Sequence, residues 1–198
     1  MPTNKFARSV SLLVGGSASA QFIMILSSPV LTRLYTPDDF GLLAIFAGIL
    51  GVTAVIASLR YELAIPLPES DQEAADVTIL SLCIAVIIGL LVAIGTFFWG
   101  DRLSMMLNVP QLAGYLWLLP LGVFFIGSYQ IFKYWAIRSK DFSTIARTQL
   151  KQKVAMIVVQ IAGFKIGELA LLGGQVVGQA MGSSSLALPP FRQSKFKS

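Results

Sequence analysis

The chain has 198 residues, 55% of them hydrophobic and only 13% charged, with a mean hydropathy of +0.74 and a formal net charge of +5. A soluble domain carries about a quarter charged residues, so this composition excludes an ordinary water-soluble fold. Histidine is absent and Cys83 is the single cysteine, which removes zinc sites, Ser/His/Asp triads, imidazole proton relays and any disulfide framework.

The chain is ordered by where its charges are missing. No Asp, Glu, Lys or Arg occurs in 9–32, 40–59, 77–100, 103–132, a shorter 154–164, or 169–191. At about 1.5 Å of rise per residue, crossing a hydrocarbon core of about 30 Å takes roughly 20 residues, so repeated windows of this length predict transmembrane helices. The expected fold class is all-α, a polytopic membrane protein of about six transmembrane helices. Of the 15 Lys and Arg, all but Arg33, Arg102 and Lys165 fall on the termini or the even-numbered connections. That positive-inside bias predicts both termini in the cytoplasm, and the acids of 60–76 do not alter it, because acids count little. The positive charge therefore reads as sidedness, and nucleic acid is not an expected partner.

In chain order, Lys5 and Arg8 precede a first span at 9–31, which is too long for a signal-peptide core and leads straight into further spans. Ser17, Gln21 and Ser28 form a polar stripe on it. Thr36, Pro37, Asp38 and Asp39 make an outer turn whose acids suit the start of span two. Span two ends at Arg60, and Ile65, Pro66, Leu67 and Pro68 cannot continue a regular helix. Ser70 with Glu73 predicts a capping box ahead of span three, which is expected to end in an aromatic belt of Phe97, Phe98 and Trp99. Asn108, Val109 and Pro110 break the next window, placing span four at 111–132 with Pro120 as a candidate kink.

The stretch 133–153 is basic and amphipathic, with Lys133, Arg138, Lys140, Arg147, Lys151 and Lys153 among Tyr134, Trp135, Ile137, Phe142 and Ile145. Two readings stand: helical extensions of spans four and five into the cytoplasm, and a basic cytoplasmic surface that contacts anionic membrane lipid or a lipid-linked phosphate. Span five overlaps 149–153, and Lys165 with Glu168 at its outer end reads as a snorkelling pair or a buried functional pair. In span six, at 169–188, Gly174, Gly178 and Gly182 recur every four residues and predict close approach of another helix. Gln175 and Gln179 lie beside them. Neutral polar stripes are unfavourable against lipid, so those of spans one and six are expected to face the bundle interior or a hydrated cavity. Interhelical hydrogen bonding and a solute path both fit.

The segment Leu31, Thr32, Arg33, Leu34, Tyr35, Thr36, Pro37, Asp38, Asp39, Phe40, Gly41, followed by Arg60, Tyr61, Glu62, Leu63, Ala64 and Ile65, resembles the polysaccharide biosynthesis (Wzx-type) flippases of the multidrug/oligosaccharidyl-lipid/polysaccharide exporter superfamily. Tyr134, Trp135, Ala136, Ile137 and Arg138 with Phe142, and the stretch 172–178, are similar to the same family's fourth-to-fifth connection and sixth helix; the likeness spans about 5–182. The resemblance implies one six-helix lobe of a MATE-like fold, two such lobes enclosing a cavity that opens alternately to each side. It implies a transporter of undecaprenyl-diphosphate-linked oligosaccharides in the bacterial cytoplasmic membrane, with no catalytic residue, no cofactor and no metal. Matched to the motif, Arg33 and Arg60 become candidates for diphosphate or lobe-gating contacts, since guanidinium forks suit phosphate. Both also lie at span ends, where arginine snorkels or fixes topology. Glu62 is a candidate gate or ion-pair partner of Arg60, and Gln21, Gln175 and Gln179 are candidates for the path.

After Gly182 the chain departs from the family pattern. Residues 1–182 therefore read as the amino-terminal lobe, and 183–198 as a divergent end of helix six with a basic tail. A half of this kind is expected to pair with a second lobe, to form a homodimer, or to be inactive alone. Two alternatives remain: half of a MATE-type drug or cation antiporter, which the lack of acids within spans one to four disfavours, and a non-transporting membrane subunit.

Overall fold

The computed structural model describes residues 3–193 as six α-helices, with no strand among them. They are α1 (Thr3–Leu34), α2 (Pro37–Ile56), α3 (Asp71–Met106), α4 (Leu118–Arg138), α5 (Phe142–Ala162) and α6 (Glu168–Gln193), with short 3₁₀ turns at Tyr61–Ala64, Pro110–Tyr115 and Phe164–Ile166. The side chains of Lys5, Arg8, Arg192, Lys195 and Lys197, which contribute to the expected sidedness of the termini, lie outside the described residues.

The caps are built from the residues that announced them. Thr36 accepts from the Asp39 N–H at 3.3 Å while Asp39 accepts from the Thr36 N–H at 2.7 Å, a complete capping box ahead of Pro37. Ser70 accepts from the Glu73 N–H at 3.2 Å and so forms one half of the expected box. Helices α3 and α4 both end in Schellman turns: Asn108 (φ 56°) and Lys140 (φ 55°) take the left-handed position, and the following amides, Val109 and Asp141, reach back to the Ser104 and Ala136 carbonyls.

Contacts between the helices fix their directions. Gly16 and Tyr35 of the first segment meet Ala146 and Gln160, so α1 runs parallel to α5. Gly122 and Gly127 meet Leu50 and Ala57, so α2 runs parallel to α4. Gln152 and Gln160 meet Gln179 and Leu171, and Gly89 and Gly100 meet Phe124 and Leu116, which makes the α5–α6 and α3–α4 pairs antiparallel. The bundle thus winds up and down. One end gathers Thr36, the 107–117 connection and Gly167; the other gathers 57–70 and 139–141.

The main apolar cluster joins Leu42, Phe46 and Leu50 of α2, Leu112, Leu119 and Val123 around α4, and Leu172 and Val176 of α6. In lipid such a core gains little from leaving water, so its packing rests on dispersion and close approach of small residues. The stretches Val14–Leu34, Pro37–Ile56 and Asp71–Met106 are long and apolar enough to cross a membrane. Ser128 of α4, Thr148 and Gln160 of α5 and Ser183 of α6 are buried within the bundle.

Three local expectations are corrected. Span four starts later than 111, because Pro110–Tyr115 is a 3₁₀ turn, and α4 then runs past Lys133 to Arg138. Pro120 sits in the first turn of α4, where no interior hydrogen bond is lost, so it does not mark a kink. Pro29 of α1 does lie inside a helix. Helix α3 continues beyond Trp99 through Asp101 and Arg102 to Met106, since nothing in that sequence breaks it before Asn108.

Candidate functional site

Among its described side chains, helix α1 turns one narrow stripe inward. Gly16, Ala20, Ile23, Ser27 and Leu31 turn inward at helical spacing, and a Cβ at Gly16 would lie 2.5 Å from the Ala146 Cβ, so the two backbones nearly touch. One step round the helix lie Ser17, Gln21, Ser28 and Thr32, all exposed. Ser17 donates to the Gln149 carbonyl oxygen of α5 at 2.7 Å, and the Gln149 amide hydrogen-bonds the Tyr129 hydroxyl of α4. Large apolar side chains share the outward surface, with Phe22 60% and Leu26 61% exposed. Ser17 and Thr32, which donates to the Pro29 carbonyl at 3.2 Å, are satisfied within the chain, so Gln21 and Ser28 are the members of the strip that a lipid covering would deprive of hydrogen bonds.

A second polar seam lies between α5 and α6. Gln152, Met156 and Gln160 recur every four residues on α5 and meet the ridge of Gly174, Gly178 and Gly182 on α6. Gln152 donates to Gln179 at 3.2 Å and Gln160 to the Leu171 carbonyl at 2.9 Å, while the Tyr35 hydroxyl donates to the Gln160 carbonyl at 2.6 Å. The glycine ridge therefore does pack against another helix, and that helix belongs to the same chain. A second copy cannot dock on this ridge while α5 occupies it. Gln179 is half-buried in the seam, Gln175 is half-buried one turn before it, and Gln21 is exposed on α1.

The arginines stand apart. Arg33 is exposed in the last turn of α1, where its charge suits the helix dipole. Arg60 is exposed at the far end of α2 in a left-handed conformation, φ 62°. Twenty helical residues, roughly 30 Å, separate the two positions, so one diphosphate cannot be gripped by both. Glu62 does not pair with Arg60: it is 4% exposed and accepts the Ser58 hydroxyl, itself 1% exposed. Lys165 and Glu168 do not pair either. Glu168 accepts the Tyr115 hydroxyl at 2.6 Å, and this hydrogen bond, with burial and the charges of Glu168 and Asp39, raises the tyrosine pKa.

At the opposite end Arg138 is the fastener. Its guanidinium donates to the Pro68 carbonyl, to the Glu69 carbonyl at 3.4 Å and to Asp71 Oδ1 at 3.1 Å, forming the one ion pair among the described residues. Pro66, Pro68, Glu69, Asp71, Trp135 and Arg138 line an open polar hollow of about 620 Å³ beside it. Of the other basic candidates, Lys140, Arg147 and Lys151 are exposed, and Lys133 and Lys153 are half-buried. Sequence reasoning missed Gln149, Gln152, Gln160 and Tyr115. For Gln152 and Gln160 a signal existed: their spacing with Met156 mirrors that of the glycine ridge.

A family model described as polysaccharide biosynthesis protein matches residues 30–189. No curated protein and no solved structure matches the chain.

Proposed function

The chain belongs to the polysaccharide biosynthesis protein family, and on that premise we propose that it forms one six-helix lobe of a MATE-like flippase that moves polyprenyl-diphosphate-linked oligosaccharides to the outer leaflet of the bacterial cytoplasmic membrane. All six helices are spans in this reading, with both termini cytoplasmic. The observation that carries it is the exposed polar strip of Ser17, Gln21, Ser28 and Thr32 along a helix otherwise suited to lipid. A headgroup bearing sugars and phosphates needs such a wall, while its polyprenyl tail stays in hydrocarbon. A second six-helix lobe faces the strip and encloses the cavity. Arg33 and Arg60 act separately at the two mouths, Glu62 fixes the inner connection, and no bond in the cargo is made or broken.

The test is complementation of a flippase-deficient bacterium by the chain co-expressed with the carboxy-terminal lobe of a family member, run beside a drug-resistance assay. Restored surface polysaccharide supports the reading. Drug resistance without polysaccharide makes the chain part of an antiporter, and neither phenotype makes it a non-transporting subunit.

A further inference from the structure

One outward stripe of α5 changes chemistry partway along its length. Arg147, Lys151, Val154, Val158 and Ala162 are all exposed, and their spacing puts them on a single helix face. The first two are cationic; Val154 (41% exposed) and Val158 (57%) are apolar, and Phe164 (41%) extends the apolar part. Lys140 stands exposed in the turn just ahead. Asp141 is the only acid in 139–153, and its carboxylate is engaged by the Thr144 N–H at 3.1 Å, the Thr144 hydroxyl at 2.5 Å and the Ser143 hydroxyl at 2.9 Å. The cations therefore face outward with no ion pair among the described residues.

We propose that this stripe is a binding site for an anionic glycerophospholipid, with its phosphate between Arg147 and Lys151 and an acyl chain along Val154 and Val158. Residues four apart on a helix lie about 6 Å from each other, a span one phosphodiester can bridge with charge-assisted hydrogen bonds. The switch to valine within a turn sets the acyl chain immediately beyond Lys151, while the long Arg147 and Lys151 side chains reach back to the headgroup level. That apolar continuation selects a lipid, because free phosphate would gain nothing from it. The proposal uses neither the strip on α1 nor any transported cargo, so loss of transport leaves it standing and its own failure leaves the flippase reading standing.

The experiment titrates the detergent-solubilised full chain with phosphatidylglycerol or phosphatidylcholine and counts bound lipids by native mass spectrometry. Phosphatidylcholine carries the same phosphodiester but its choline cancels the charge; each basic group near a net anionic headgroup contributes on the order of a fivefold gain, so phosphatidylglycerol should bind about tenfold or more tightly. R147Q/K151Q should erase the preference and R147K/K151R should keep it. Should the neutralised variant fail to fold, the wild-type preference must still collapse as salt rises. Equal binding of the two lipids, a preference that survives neutralisation or high salt, or displacement of phosphatidylglycerol by inorganic phosphate would overturn the proposal.

Discussion

Glu62 is buried beside Ser58, and no cation pairs with it among the described residues. Replacing it with alanine strands the Ser58 hydroxyl in a dry site, at a cost of about 1–3 kcal/mol. Glu62→Gln keeps an acceptor in the same place. Thermal melts in detergent should therefore show Glu62→Ala well below the wild type and Glu62→Gln close to it; equal losses would mean that the charge itself matters. The glycine ridge offers a second contrast. A Cβ at Gly174 would come within 2.9 Å of the Met156 carbonyl, which is backbone, whereas at Gly182 it would meet only the side chain of Gln152. Gly174→Ala should cost about 1–3 kcal/mol, and Gly182→Ala distinctly less, because a glutamine end can swing aside.

Between elements, Arg138 ties the 68–71 connection to the end of α4. Two of its three acceptors are backbone carbonyls, and the third, Asp71, has a side chain 84% exposed. A surface ion pair is worth under about 1 kcal/mol. Arg138→Gln should thus speed hydrogen exchange across 66–71 by about tenfold or more, while Asp71→Asn barely changes it. Asp141 governs the start of α5. Burial alone would raise its pKa, but the hydrogen bonds from Thr144 and Ser143 and the nearby Arg147 charge outweigh that and lower it. A carboxyl with a depressed folded pKa stabilises the protein above the usual carboxylate range and loses that contribution as pH falls through the folded value. Asp141→Ala should cost about 1 kcal/mol at neutral pH, with the gap to wild type closing in strong acid. Much at this scale was legible in the sequence: the turn from Thr36 to Asp39, the cap at Ser70, the break at Asn108 and the basic extensions of α4 and α5 all follow from local chemistry. The Arg138 fastener was not, because its acceptors lie some 70 positions away in the chain and are mostly carbonyls, which every residue carries. The Arg60–Glu62 pairing failed for a related reason. Sequence proximity brought the charges together, and the left-handed turn at Arg60 sent one outward and the other inward.

At the scale of the whole bundle, the charge-free windows located the helices but left open which faces lipid covers. Windows of differing length became the outward-facing α1 to α3 and the more deeply packed α4 to α6, because the distinction lies in partner faces and not in any one segment. Helix α1 is where this decides function, since its polar strip and its apolar surface are both exposed. A thiolate forms and meets a charged maleimide only where water reaches, so cysteine labelling separates the two surfaces. Cys83 is itself exposed and must first be replaced by alanine. In that background Gln21→Cys and Ser28→Cys, labelled in native membranes, should react at least about tenfold faster than Phe22→Cys and Leu26→Cys, whose lipid-covered thiols are shielded from water and a charged reagent. Blocking Gln21→Cys with a bulky thiol reagent should also stop any restoration of surface polysaccharide. Uniformly slow labelling would mean that lipid or a dry protein interface covers the strip, and the cavity wall would then have to be sought on another helix.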